Sequence, residues 1–347
     1  MGLLRVLGDS LAAIAETKTR VAILSVASNA LLIIVKVAIG ILSGSVAIIS
    51  EAIHSAVDLI AAVIALFAVR ASGQQADEGH PYGHGKYENI SGTVEALLIF
   101  VAAVWIIYEA VDKLLHPRPV GLVAWGAGVM FLSALVNVLI GRRMSKVAKQ
   151  TDSVALRADA WHHWTDVYTS AGVMLGLLVI WIVGLVSPGV DLRWLDSVVA
   201  IVVALLILKA AWDLTRSSAR DLLDASLPDE DVDWIPGFVC KTWPDVRSFH
   251  HVRTRKAGSN RFIDFHLAVD DKMSVGEAHA LGDEIVVAIK QRLPESSVQI
   301  HVEPCDFSCT ESCQSGCEVP PSDRESHKAQ RDVRRASDQA AGPSAGS

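Results

Sequence analysis

The sequence predicts an α-helical membrane protein with six transmembrane helices and a small cytoplasmic α+β domain near its C-terminal end. Three observations carry this prediction. The 347-residue chain is 51% hydrophobic and its apolar residues cluster into long runs, the composition of a membrane protein with a soluble appendage. Six of these runs approach the roughly 20 apolar residues that a helix needs to cross the hydrocarbon core. After Arg216 the hydropathy drops, and short strand and helix periods replace the long runs.

The spans are expected at 21–42, 46–69, 90–115, 120–140, 155–186 and 195–211. The links 43–45, 116–119 and 187–194 are short and hold few basic residues. Lys18, Arg20, Arg70, Lys86, Arg142, Arg143, Lys146, Lys149, Arg216 and Arg220 all fall on the other side. An excess of Lys and Arg marks the cytoplasmic side, which places both termini in the cytoplasm, with a cell (inner) membrane as the setting. Residues 1–20 lack the apolar core and cleavage site of a signal peptide, so they read as a cytoplasmic segment and the first helix as its own insertion signal. Lys36, near the distal end of that helix, is expected to snorkel outward.

The membrane region thus covers 21–215 and the soluble domain 216–307. Within the latter, 232–242 reads as a helix weakened by Pro236 and Gly237. Residues 248–255 and 261–269 alternate at period two around a turn at 256–260. Ala278, Leu281, Ile285, Ile289 and Leu293 repeat at helical spacing, and 298–302 is a last strand. The order αββαβ is that of a ferredoxin-like, metallochaperone-like sandwich. Residues 308–347 form a cysteine-containing tail, and beyond Glu318 no apolar periodicity is left, so disorder is expected there.

The ionisable residues inside the spans carry the chemistry, because a charge near mid-bilayer is costly and by default functional. The second span holds His54 and Asp58; the fifth opens Ala155-Leu-Arg-Ala-Asp-Ala-Trp and repeats the spacing at His162 and Asp166. Residues four apart share one helix face, so two helices each offer one imidazole and one carboxylate. Such an N2O2 set suits tetrahedral Zn2+, whereas Mg2+ and Ca2+ prefer all-oxygen sites and Cu(I) prefers thiolate. His163, three residues from Asp166, competes with His162 by spacing alone. Polar pairs gluing helices together are the plainer alternative.

Three further clusters could hold metal. Asp77, His80 and His84 lie in a glycine-rich loop that ends at Lys86. The soluble domain holds His250, His251, His266, His279, His301 and Glu303, with His301 and Glu303 on one strand face. Cys305, Cys309, Cys313 and Cys317 recur at spacing four, which on a helix makes one thiol stripe suited to soft or borderline metals. The formal net charge of −7 argues against nucleic acid as a partner.

Several linked motifs resemble the cation diffusion facilitator family over about 18–305: the His54 to Asp58 pair after Ser45-Val46, the loop Asp77 to Lys86, Ala158-Asp-Ala-Trp-His162 through Asp166-Val167, Leu222-Leu-Asp224, Leu227-Pro-Asp-Glu230, Arg253-Thr-Arg255, Arg261 to His266, and Ile300 to Pro304. The resemblance implies a homodimeric antiporter that exports Zn2+ from the cytoplasm against H+, with Zn2+ also bound at the dimer interface of the cytoplasmic domain. It implies a transport site of His54, Asp58, His162 and Asp166, settling the choice against His163. It also implies a loop site of Asp77, His80 and His84, and a cytoplasmic-domain site of His250, His266, His279 and His301, with Glu303 where relatives often carry Asp. Lys86 and Asp224 match a charge pair that in the family joins the protomers. The two-His, two-Asp set is the one associated with zinc preference; Fe2+, Mn2+, Co2+ or Cd2+ are the alternatives. The cysteine stripe matches no usual family motif.

Two other functions fit parts of the pattern. A membrane-anchored sensor dimerising on zinc would leave the mid-membrane ligands without a purpose. An intramembrane metalloenzyme needs an open metal position, and no His-Glu-x-x-His motif occurs; the chain is not expected to be an enzyme.

Overall fold

The computed structural model describes the backbone of residues 2–43, 46–116, 124–186, 193–305, 307, 313 and 316–329. Side chains of 2–14, 40, 43, 46–51, 53, 54, 57, 113, 124–127, 129, 130, 170, 172–186, 193, 195 and 196 fall outside the description. The chain divides into two units, Met1–Leu223 with Ala257–Ser259, and Asp224–Lys256 with Asn260–Ser347.

The first unit is helical: α1 (Gly2–Ser43), α2 (Val46–Ser72), α3 (Lys86–Leu115), α4 (Ala124–Thr151), α5 (Val154–Val186) and α6 (Arg193–Leu222). Residues 2–20, expected as a cytoplasmic segment, are helical and continuous with the first expected span in α1, which contains no proline to break it. The α4–α5 junction is local in origin. Asp152 takes the left-handed conformation at φ 48 and Ser153 N–H donates back to Ala148 O at 3.1 Å, ending α4. Among the described residues, the stretches Ala15–Ile39, Lys86–Asp112 and Ser197–Leu222 are long and apolar enough to cross a membrane.

Small residues let these helices approach closely. Ala22 of α1, Ala68 of α2, Met144 and Ala148 of α4 and Ala155 and Leu156 of α5 form one core. Ala96, Ile99 and Ala103 of α3 pack with Ala158 of α5 and Ile207, Ala211 and Leu214 of α6 in another. Lys36 corrects the snorkelling expectation: it is buried and its Nζ donates to Ser55 Oγ of α2 at 2.7 Å, because a hydroxyl partner inside the bundle meets the ammonium there.

The second unit has the expected order, α7 (Asp229–Thr242), β1 (Ser248–Ala257), β2 (Asn260–Asp270), α8 (Val275–Arg292) and β3 (Ser296–Cys305). The sheet order is β1-β2-β3, with β3 parallel to β2 after the α8 crossover and His266 opposite His301. Gly258 supplies the left-handed φ of 61 that the β1–β2 turn needs. The core joins Ile235 and Val239 of α7, Ile263, Phe265 and Leu267 of β2, and Leu281, Ile285 and Ile289 of α8. Ser274 caps α8: its hydroxyl accepts from Glu277 N–H, and the Glu277 carboxylate accepts from the Ser274 N–H.

The expected disorder past Glu318 gives way in part. Cys317 pairs antiparallel with Ser248 on the outer edge of β1, with Phe249 N–H donating to Gly316 O at 3.0 Å and Glu318 N–H to Arg247 O at 2.9 Å. Residues 321–329 are helical. Backbone pairing to an open sheet edge needs no apolar periodicity, which is why the sequence pattern does not announce it.

Candidate functional site

Asp58 on α2 and His162 and Asp166 on α5 come together inside the helical unit, one ligand atom from each lying within 4.8 Å of the others. His162 Nε2 is 2.9 Å from Asp58 Oδ1, and both side chains are buried. His54 stands one helical turn before Asp58 on α2, and its side chain lies outside the described residues.

The neighbouring polar groups fix the orientation of this trio. Asn137 of α4 donates from Nδ2 to Asp166 Oδ2 at 3.1 Å, so its carbonyl oxygen faces His163 Nδ1 at 2.9 Å. His163 Nδ1 therefore carries the hydrogen, and Nε2, 3.0 Å from Ser25 Oγ, accepts from α1. Both nitrogens of His163 are thus engaged away from the trio. His163 belongs to a chain Ser25–His163–Asn137–Asp166 that holds a metal-competent carboxylate from behind, the arrangement expected around metal ligands. Ser25 and Asn137 were not among the sequence-derived site residues, and His163 entered there only as a competitor of His162 for the metal.

Glu88, in the first turn of α3, is a second feature that the sequence did not single out. It is fully buried, accepting from Lys18 Nζ at 3.3 Å and Ser72 Oγ at 2.9 Å on one oxygen, and from Ser153 Oγ at 2.6 Å and Val154 N–H at 2.9 Å on the other. Four donors satisfy a buried carboxylate, and they tie α1, α2, α3 and the start of α5 to one point.

Asp77, His80 and His84 form a second group within 4.8 Å. His84 Nε2 is 3.4 Å and His80 Nδ1 3.7 Å from the Asp77 carboxylate. The His80 backbone N–H, 2.7 Å from Asp77 Oδ1, holds that carboxyl below the usual aspartate range, which keeps an anion ready for a cation. Gly83, at φ 80, turns the loop so that the two imidazoles meet at 4.4 Å between ring centres.

The third group is His250, His266 and Glu303. Glu303 Oε1 lies 3.0 Å from His250 Nε2 and 2.8 Å from His266 Nδ1. Burial pushes the His250 imidazole below its ordinary range, against the opposing pull of Glu303. His301 lies tilted against His266, 4.6 Å between ring centres, rather than sharing this set, and exposed His279 on α8 lies 3.6 Å from Asp283 instead. His251, left-handed at φ 53, brings a further imidazole to 4.8 Å from His266.

The thiol stripe is not formed. Cys305 ends a strand and Cys317 pairs in extended conformation with Ser248, so no single helix carries them. Cys309 lies outside the described residues. Lys86 Nζ donates to Leu222 O at 3.4 Å, and Asp224 faces Arg255 at 3.3 Å within its own unit.

A helical bundle with ionisable ligands inside, joined to a histidine-bearing α+β domain, is the architecture of a metal-ion transporter. The chain belongs to the cation diffusion facilitator family: residues 22–223 match the cation efflux transmembrane domain and residues 227–305 the cytoplasmic domain of cation efflux proteins. It is a membrane protein that transports cations, with its α+β domain in the cytoplasm. An uncharacterized transporter of Synechocystis sp., sll1263, is 35% identical over 81% of this chain and 88% of its own. The cation-efflux pump FieF of Shigella flexneri is 32% identical over 83% and 93% respectively. Among solved structures, the metal-bound C-terminal domain of the CzcD transporter from Thermotoga maritima is 34% identical, covering 22% of this chain and 94% of that one with a TM-score of 0.21.

Proposed function

We propose that this transporter exports a divalent cation, Zn2+ foremost, from the cytoplasm in exchange for H+, by alternating access at His54, Asp58, His162 and Asp166. The observation that carries this reading is the trio of buried Asp58 and His162 with half-buried Asp166, contributed by two helices and within one ion's reach. Mixed imidazole and carboxylate donors favour Zn2+ among divalent ions, with Fe2+, Mn2+, Co2+ and Cd2+ next. Proton coupling follows from competition, since imidazole and carboxylate bind metal only when deprotonated.

On this reading six spans occupy 21–215 in an inner membrane with both termini cytoplasmic. The loop trio and the cytoplasmic histidines with Glu303 bind the same ion, in a homodimer to which Lys86 and Asp224 contribute a charge pair between protomers. Zinc-65 flux into proteoliposomes under an imposed pH gradient tests it: Asp58→Ala and Asp166→Ala each abolish exchange. Undiminished flux in both variants would sink the assignment, and metal-dependent dimer tightening without flux would make the protein a sensor.

A further inference from the structure

Two buried carboxylates lie outside the three ligand groups. Glu95 on α3 is fully buried, and Asp159 on α5 is 1% exposed. Among the described residues, Glu95 Oε2 and both oxygens of Asp159 have no hydrogen-bond partner. Glu95 Oε1 receives only a 3.5 Å bond from Ser91 Oγ. His163 Nε2 stands 3.9 Å from Asp159 Oδ1 and is engaged by Ser25. His162 Nδ1, the nitrogen not taken by Asp58, is also buried without a partner, and its ring lies within electrostatic reach of both carboxylates.

Bare carboxylates are among the most costly groups to place inside a membrane bundle. One proton would satisfy one oxygen and leave the others bare. A divalent cation with part of its water shell meets several oxygens at once.

The place of the pair gives it a direction. Asp159 precedes His162 by three residues, one turn nearer the Val154 end of α5. That end lies beside the C-terminal part of α6, where Arg157 donates to Ser217 Oγ at 3.3 Å, and α6 leads into the cytoplasmic domain. The carboxylates therefore stand on the cytoplasmic side of the trio.

We infer that Glu95 and Asp159 form a second intramembrane binding pair, which receives a divalent cation from the cytoplasm and passes it to the Asp58–His162–Asp166 site. The inference rests on reading that trio as the transport site. Oxygen ligands take the partly hydrated ion first, and imidazole engages it one turn further in.

The test compares Glu95→Gln and Asp159→Asn with wild type and with Asp58→Ala, using Zn2+ flux into proteoliposomes over a range of Zn2+ concentrations and pH. The two pair variants raise the half-saturating Zn2+ concentration about tenfold or more, as loss of a focusing charge does, and leave the rate at saturation and its pH profile intact; Asp159→Glu restores the wild-type value. Should Asp159→Asn fail to fold, Glu95→Gln on the other helix decides. An unchanged half-saturation, or a lowered maximal rate with a shifted pH profile, overturns the inference while a dead Asp58→Ala leaves the transport-site reading standing. Flux surviving Asp58→Ala overturns both.

Discussion

Asn137 donates to Asp166 Oδ2 at 3.1 Å across the α4–α5 interface, and this bond helps to orient the carboxylate of the proposed transport site. With its other end on His163, the amide cannot rotate without breaking two bonds at once.

Asn137→Ala should therefore weaken Zn2+ binding by about 10–100-fold, the usual loss when an outer-shell partner of a ligand is removed. Equilibrium titration of the purified full chain carrying His250→Ala and His80→Ala isolates the membrane site. Affinity equal to that of the parent would show that Asp166 needs no positioning.

Removing Glu303 should affect the cytoplasmic cluster alone. Glu303→Ala takes away the oxygen shared by His250 and His266, so the number of Zn2+ ions retained per protomer after gel filtration should fall. The loop and membrane sites should keep theirs.

Gly316→Ala should undock the tail. A Cβ there would stand 1.8 Å from Phe249 O, a distance no side-chain relaxation on the tail can relieve. The readout is Cys240, whose thiol is pushed up to about 12 by burial and then by the Glu318 carboxylate. Thiolate is the reactive form, so iodoacetamide should label Cys240 slowly in wild type and at least about tenfold faster once Glu318 leaves with the tail.

Ser274→Ala removes the cap of α8 and should cost about 1 kcal/mol of cytoplasmic-domain stability. Thermal unfolding followed by a domain fluorophore measures it; an unchanged midpoint would mean that the α8 N-terminus gains nothing from the capping box.

Asp270 sets a pH dependence. The Lys272 backbone N–H, 3.0 Å away, and then Arg247 at 3.4 Å hold its carboxyl below the ordinary 3.8. A lowered folded value means that the stabilisation is complete above 3.8 and is lost as pH falls through the folded value. The difference in melting temperature between wild type and Asp270→Asn should be full at about pH 5 and close toward zero in stronger acid.

The elements of the α+β domain were legible because Ile285, Ile289 and their neighbours repeat at helical period and the β2 residues at period two. Asp58, His162 and Asp166 were legible because charge inside an apolar run is rare enough to stand out. His163 could not be separated from His162 by spacing, since its role depends on Ser25 and Asn137, 138 and 26 residues away. Glu88 sits at the loop edge of its run, where an acid costs nothing by composition. The tail strand was invisible for another reason: it is held by backbone bonds, and those leave almost no mark on side-chain choice beyond Gly316.

The Glu88 knot constrains how the bundle can rearrange. A motion that parted α1, α2 or the start of α5 from α3 at this end would strip donors from a fully buried carboxylate. Four donors from separate segments make this end one unit, so a rearrangement of the bundle carries α1, α2, α3 and the start of α5 together here.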